Sequence, residues 1–196
     1  NEFLFVSVPL VETLYPSAAY GALKPVVSKN NLKCTLLDVN LYLSNTYSEE
    51  VVDEINNWAM LAKNDISDTA LNALEETYRT HIIPKLPTCE WIAISVFSFY
   101  SCRPTVRLLN MIKQERTDTK ILLGGNGVSS SLAEYNHQEF GLWCLDQELT
   151  NYAIFGEGEV ALDELLKGND TYSGINDPEF EQIRDIENLE LPDYSD

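Results

Sequence analysis

An open parallel α/β sheet of five strands is what the sequence predicts. Two apolar runs, Lys120–Leu123 and Tyr152–Phe155, each stop at a glycine-bearing turn and hand over to a helical pattern. The turns read Gly124-Gly125-Asn126-Gly127 and Gly156-Glu157-Gly158-Glu159. Neither run alternates polar with apolar residues, as expected of strands covered by helices on both faces. Five β-rich runs with helical patterns between them imply parallel strands joined by right-handed crossovers. The order expected is 2-1-3-4-5, a flavodoxin-like (Rossmann-like) arrangement, with a helical insertion between strands 2 and 3. Such sheets bind ligands at the strand C-termini, where glycines let a ligand approach the backbone.

The elements follow in order. Phe3–Val8 is the first strand, stopped by Pro9. After a loop over Leu10–Pro16, a helix is expected from about Ser17 to Asn30, with Ala18, Ala19, Ala22, Leu23, Val26 and Val27 as its buried face. Pro25 should kink or shorten it, and Asn30-Asn31 supplies a C-terminal cap. Lys33–Asp38 is the second strand. Residues 40–90 carry two helical patterns, Val51, Val52, Ile55, Ala59, Ala62 and then Leu71, Leu74, Tyr78, Ile82, which predict a packed hairpin remote from any ligand. Asp68 is its candidate N-cap and Pro84 its stop. Trp91–Val96 is the third strand, and Pro104 suits the first turn of a helix that buries Val106, Leu109 and Ile112. The fourth strand, Lys120–Leu123, leads to a short helix near Leu132–Gln138 and a stretch without pattern to Thr150. Tyr152–Phe155 and a helix over Val160–Lys167, closed by Gly168, complete residues 1–168 as one domain. Residues 169–196 are polar and turn-rich and read as a linker or arm.

Composition narrows the function classes. The chain of 196 residues has 31 acidic and 13 basic residues, a formal charge of −18. Phosphate backbones and anionic membranes repel such a chain, so neither nucleic acid nor a membrane is expected as partner. No apolar run is long enough to span a bilayer, and no signal pattern opens the sequence. Asn1 stands first and core strand begins at once, so a trimmed or matured fragment is expected. Cys34, Cys89, Cys102 and Cys144 are scattered without a CxxC pair, which argues against zinc or an iron–sulfur cluster here and for reduced thiols in the cytoplasm.

The chemistry-bearing residues are sparse. Gly125-x-Gly127-x-x-Ser130 approaches a dinucleotide fingerprint, yet it follows the fourth strand, lacks the third glycine and has no acidic ribose partner in place. Glu157 and Glu159 would sit at a helix start, favourable to the helix dipole and unfavourable to a phosphate. His81 and His137 belong to no metal-ligand spacing, so no metal site is expected. Ser95, Ser98, Ser101 and Ser129–Ser131 lack a histidine base and make better sense as neutral donors around a polar ligand. The residues assemble no reaction that this chain would run alone.

The motifs in their order resemble the N-terminal cobalamin-binding domain of cobalamin-dependent radical S-adenosylmethionine enzymes. Tyr15-Pro16-Ser17-Ala18-Ala19-Tyr20-Gly21, a helix, and Leu36-Leu37-Asp38-Val39-Asn40 are similar to that family's opening pattern. Ile94-Ser95-Val96-Phe97 is similar to its third-strand end, Leu122–Gly127 to its Gly-Gly turn (with Asn126 in place of the usual Pro), and Ile154–Glu159 to its Gly-Glu-Gly-Glu signature. Ile186–Tyr194 resembles the segment that precedes the radical domain.

The resemblance implies bound cobalamin, positioned for methyl transfer or related radical chemistry, with the corrin over the strand C-termini. Tyr15, Pro16, Ser17, Ser95, Val96, Phe97, Ser98, Gly124, Gly125, Asn126, Gly127, Gly156, Glu157 and Gly158 are the implied contacts. Gly125 and Gly127 in particular would leave room for the nucleotide tail, so bulk there should block binding more than folding. The family's Asp-x-His-x-x-Gly motif is absent, which implies base-off cobalamin without a histidine ligand. The three-cysteine motif is absent too. It implies that the 4Fe-4S cluster and S-adenosylmethionine belong to a C-terminal radical domain of the same polypeptide, the expected partner. Two rival readings remain: a docking domain of this fold without cofactor, and a flavin- or nucleotide-binding module.

Overall fold

The computed structural model describes residues 2–9, 18–60, 65–115, 117–180 and 192–194. Five strands, β1 (Glu2–Ser7), β2 (Lys33–Asp38), β3 (Cys89–Ser95), β4 (Lys120–Gly124) and β5 (Tyr152–Ala153), form one sheet. Their order is β2-β1-β3-β4-β5 and every neighbouring pair is parallel. The fold is therefore α/β and flavodoxin-like, as the runs of apolar residues predict.

Alternation hidden in the sequence appears in space. Phe3, Phe5, Trp91, Ala93 and Leu122 pack on one face against α1 (Ala18–Lys29) and α7 (Gly158–Leu166). Leu4, Val6, Ile92, Ile94 and Leu123 pack on the other face. That face is covered by α2 (Val39–Thr46), α3 (Glu49–Ala59), α4 (Asp68–His81), α5 (Cys102–Gln114) and α6 (Phe140–Asp146). Both sides of each strand are apolar because both are covered.

Several elements depart from expectation. The insertion holds three helices rather than two: α2 starts directly at the end of β2, with the Asp38 carboxylate accepting from the Leu41 N–H at 3.1 Å. Asn40 in the next turn donates to the Val8 carbonyl at 3.3 Å, so the Asp-x-Asn step ties the end of β2 to the end of β1. Ser67, not Asp68, caps α4, its hydroxyl accepting from Ala70 at 3.2 Å. The stretch before Thr150 contains α6, preceded by a single 3-10 turn at Ala133–Tyr135. Helix α1 runs unbroken through Pro25. Proline has no N–H for the carbonyl four residues back, and the backbone N–H of Asp193 donates to that carbonyl, Gly21, at 2.8 Å instead. Asn31, at φ 60°, and Gly168, at φ 91°, end α1 and α7 as capping residues should.

Candidate functional site

At the C-terminal edge the register aligns Asp38, Ser7, Ser95 and Gly124 across β2, β1, β3 and β4. Three of these four residues are small. Between this edge and helices α1 and α7 lies a cleft of about 210 Å³. The sheet contributes Phe5, Ala93, Leu122 and Ile154, α1 contributes Ala19, Ala22 and Leu23, and α7 contributes Leu162. Ile94, Ser95, Gly124, Gly125, Gly156, Gly158 and Glu159 complete the lining. The wall is apolar with few polar groups, the usual make-up of a small-molecule site. It sits beside β1 and β3, where the strand order reverses.

The three turn glycines differ in what their missing side chains allow. A Cβ on Gly124 would meet nothing within 4 Å, so this residue opens the cleft. Gly125 has φ 101°, and a Cβ there would stand 2.6 Å from the Val96 carbonyl oxygen. A Cβ on Gly127 would stand 2.6 Å from the Ser98 carbonyl oxygen. The turn is laced to the end of β3: Val96 N–H donates to Gly124 O at 2.7 Å, and Gly127 N–H to Val96 O at 2.8 Å. The expectation that Gly125 and Gly127 chiefly leave room for a ligand is thus corrected. Their lack of side chains serves the contact between two backbones.

Of the residues implied as contacts, Ser95, Gly124, Gly125, Gly156 and Gly158 come together in the cleft. Val96 is buried, and its backbone is used in the lacing. Phe97 is 60% exposed just past β3, and the Ser98 hydroxyl accepts from the Tyr100 N–H at 3.3 Å to start a 3-10 turn. Asn126 is exposed and Gly127 is buried beneath the turn. Glu157 stands at the N-cap of α7 without a side-chain capping bond, while Glu159 lies in the first turn of that helix. Tyr15, Pro16 and Ser17 lie outside the described residues. The sequence reading did not single out Phe5, Leu122, Ile154 or Leu162 as site residues. It placed Ala18, Ala19, Ala22 and Leu23 on the buried face of α1, which is corrected: Ala18 and Ala19 are exposed, Ala22 and Leu23 are half-buried, and Tyr20, Gly21 and Lys24 are buried with Val26 and Val27. Alanine at 19 and 22 is too small to fill the space between α1 and the sheet, and that small size was the available signal for the cleft.

The remaining reactive groups do not build a second centre. Cys89, Cys102 and Cys144 are buried thiols. Burial pushes Cys102 up to about 12, with the Glu134 carboxylate adding to the rise. It raises Cys144 as well, with Cys102 adding to the rise, and thiols held this way are poor nucleophiles and poor ligands. The His81 ring stacks on Tyr42 at 4.0 Å between α4 and α2. Among the described residues no group of three His, Cys, Asp or Glu could hold a metal ion, and no helix is long and apolar enough to cross a membrane. Trp58 and Tyr78 belong to the opposite face: Arg103 donates to the Trp58 carbonyl, and the buried Tyr78 hydroxyl donates to the Pro104 carbonyl at 3.1 Å.

No family model matches the sequence, and comparison with curated proteins gives no match. Two solved structures of the radical S-adenosylmethionine methyltransferase TsrM from Kitasatospora setae share the fold. One, with tryptophan substrate and a SAM analogue (aza-SAM) bound, aligns over 89% of this chain with a TM-score of 0.51 and 15% identity. The other, with cobalamin and a [4Fe-4S] cluster bound, aligns over 88% with a TM-score of 0.52 and 15% identity. In both cases the chain spans 28% of the length of TsrM.

Proposed function

We propose that this chain is a cobalamin-binding domain of a larger, cytoplasmic radical S-adenosylmethionine enzyme that performs methyl transfer or related radical chemistry. The observation that carries the reading is the apolar cleft at the strand C-termini, opened by Gly124 beside the switch point. The likeness in fold to a region of TsrM, whose structure holds cobalamin and a [4Fe-4S] cluster, supports it.

The residues present fit the group. Cobalamin carries a nucleotide tail that ends in a flat, largely apolar base. A slot walled by Phe5, Ala93, Leu122, Ile154 and Leu162 suits such a base, and Ala19 and Ala22 keep α1 from filling it. The Ser95 hydroxyl can hydrogen-bond a polar edge of the tail. Phe97 and Phe99, exposed just beyond β3, offer aromatic surface to the broader corrin. Bound cobalamin supplies a cobalt centre able to accept and donate a methyl group. The domain's part is to hold and orient it, with the cluster and S-adenosylmethionine carried by a further domain reached through residues 169–196. A flavin or nucleotide diphosphate fits less well: among the described residues the cleft lining contains Glu159 and no Lys or Arg, so a doubly or multiply charged phosphate group would find no cation there, whereas the cobalamin tail carries a single phosphodiester charge.

The test is retention of hydroxocobalamin through gel filtration, read by visible absorption, with flavin mononucleotide and ATP as comparisons. Near-equimolar cobalamin alone is expected, with a base-off spectrum. Electron paramagnetic resonance of the Co(II) form should show no nitrogen coupling; coupling that disappears in His137→Ala would refute ligation without histidine. A protein that retains none of the three ligands would be a docking domain without cofactor.

A further inference from the structure

Helix α1 presents Ala19, Ala22 and Leu23 to the cleft. By the 3.6-residue period, Gly21, Lys24 and Pro25 fall on the helix's other side. Two residues of the C-terminal arm meet them there. The Gly21 carbonyl that Pro25 cannot serve accepts from the Asp193 N–H at 2.8 Å. The Tyr194 ring lies where a Cβ on Gly21 would stand. The Asp193 carboxylate is 3.5 Å from the Lys24 ammonium, whose side chain is only 10% exposed. A missing donor is thus met by a donor, a missing side chain by a ring and a cation by a carboxylate. The ion pair alone would count for little, since Asp193 is 42% exposed. The hydrogen bond and the ring make the match specific. The chain touches the cleft's other wall as well, because the Phe180 ring occupies the place of a Cβ on Gly156 at the cleft rim.

We propose that Gly21, Lys24 and Pro25 form a docking notch for the chain's own Asp193-Tyr194, and that docking braces the cleft, so a docked arm and a bound ligand stabilise each other. A helix moves as a rigid unit, so fixing one flank of α1 fixes the flank that lines the cleft. Coupling of this kind is reciprocal. The ligand half of the proposal rests on the cobalamin reading; the docking half does not.

A double-mutant cycle on the full chain separates the two halves. Alanine is a better residue than glycine inside a helix, so Gly21→Ala should raise the melting temperature wherever the arm is already absent from the notch. With Tyr194 in place the new methyl group expels the ring. Gly21→Ala is therefore expected to lower the melting temperature of the parent and to raise that of Tyr194→Ala. An equal rise in both backgrounds overturns the docking. Release of hydroxocobalamin should be about fivefold faster or more from either single variant, and no faster still from the double variant. Equal release from all four proteins overturns the bracing. If the parent retains no hydroxocobalamin, the cofactor reading and the bracing fall together, while the melting cycle still decides whether the notch docks the arm.

Discussion

Gly124 and Gly125 are neighbours in sequence with opposite tolerances for a side chain. Gly124→Val adds its bulk to open space in the cleft. It should fold with a melting temperature near the parent's and lose most hydroxocobalamin retention. Gly125→Ala forces a side chain onto φ 101° and against the Val96 carbonyl. The left-handed conformation alone costs about 1–2 kcal/mol, and the collision with backbone adds to it, so this variant should melt earlier whether or not ligand is present. Normal retention by a well-folded Gly124→Val would place the ligand elsewhere. A run such as Gly-Gly-Asn-Gly shows that side chains are unwelcome. It does not show whether a ligand, a neighbouring carbonyl or a dihedral angle excludes them, and that is why the sequence reading assigned the ligand space to Gly125 and Gly127. The Asp38-x-Asn40 step was legible only through the family resemblance, and its work of joining β1, β2 and α2 was not legible at all.

Between elements, the seam of α1 and α7 decides whether the cleft exists, because the two helices form its outer wall. Asp163 fastens that seam. Its carboxylate accepts from Asn30 at 2.8 Å and lies 2.8 Å from Lys167 and 3.6 Å from Lys29, with 16% of the side chain exposed. Burial alone would raise its pKa, but the hydrogen bonds from Lys167 and Asn30 and the charges of Lys167 and Lys29 outweigh it and hold the group below the usual carboxylate range. A carboxyl that is more acidic folded than unfolded stabilises the protein above its unfolded pKa, and the effect fades as pH falls through the folded value. Asp163→Asn should therefore melt below the parent at neutral pH, with the gap closing toward acid; a gap that stays constant would mean the charge is not what holds the seam. Long amphipathic elements such as α3 and α4 were readable from the spacing of Val51, Ile55, Leu71, Leu74 and Tyr78. The eight-residue α2 and seven-residue α6 were not, because two turns give too few repeats to establish a period.

At the scale of the whole molecule, a parallel sheet followed from short apolar runs and crossover handedness. Its order followed from the flavodoxin-like arrangement expected of it, which the structure bears out, while closure of the sheet's last edge did not follow. Strand β5 pairs with β4 through only two residues, and an unpaired outer edge is a template for association. Residues beyond α7 return to cover it. Ile175 bridges Ile154 antiparallel, Phe155 N–H donates to Gly174 O at 2.8 Å, and Asn176 N–H donates to Ala153 O at 2.7 Å. The Asn176 side-chain oxygen then accepts from the Ala153 N–H at 2.8 Å, with the residue itself at φ 58°. Asparagine tolerates that conformation better than most residues, so Asn176→Ala loses both the conformation and the cap. The charge of −18 opposes contact between copies at low salt, and screening removes that barrier as the Debye length shrinks to a few ångströms near about 1 M. Asn176→Ala is therefore expected to associate more than the parent in sedimentation at high salt and to match it at low salt. Identical behaviour at both salts would mean that the backbone bonds of Gly174 and Asn176 suffice to close the edge without the side chain.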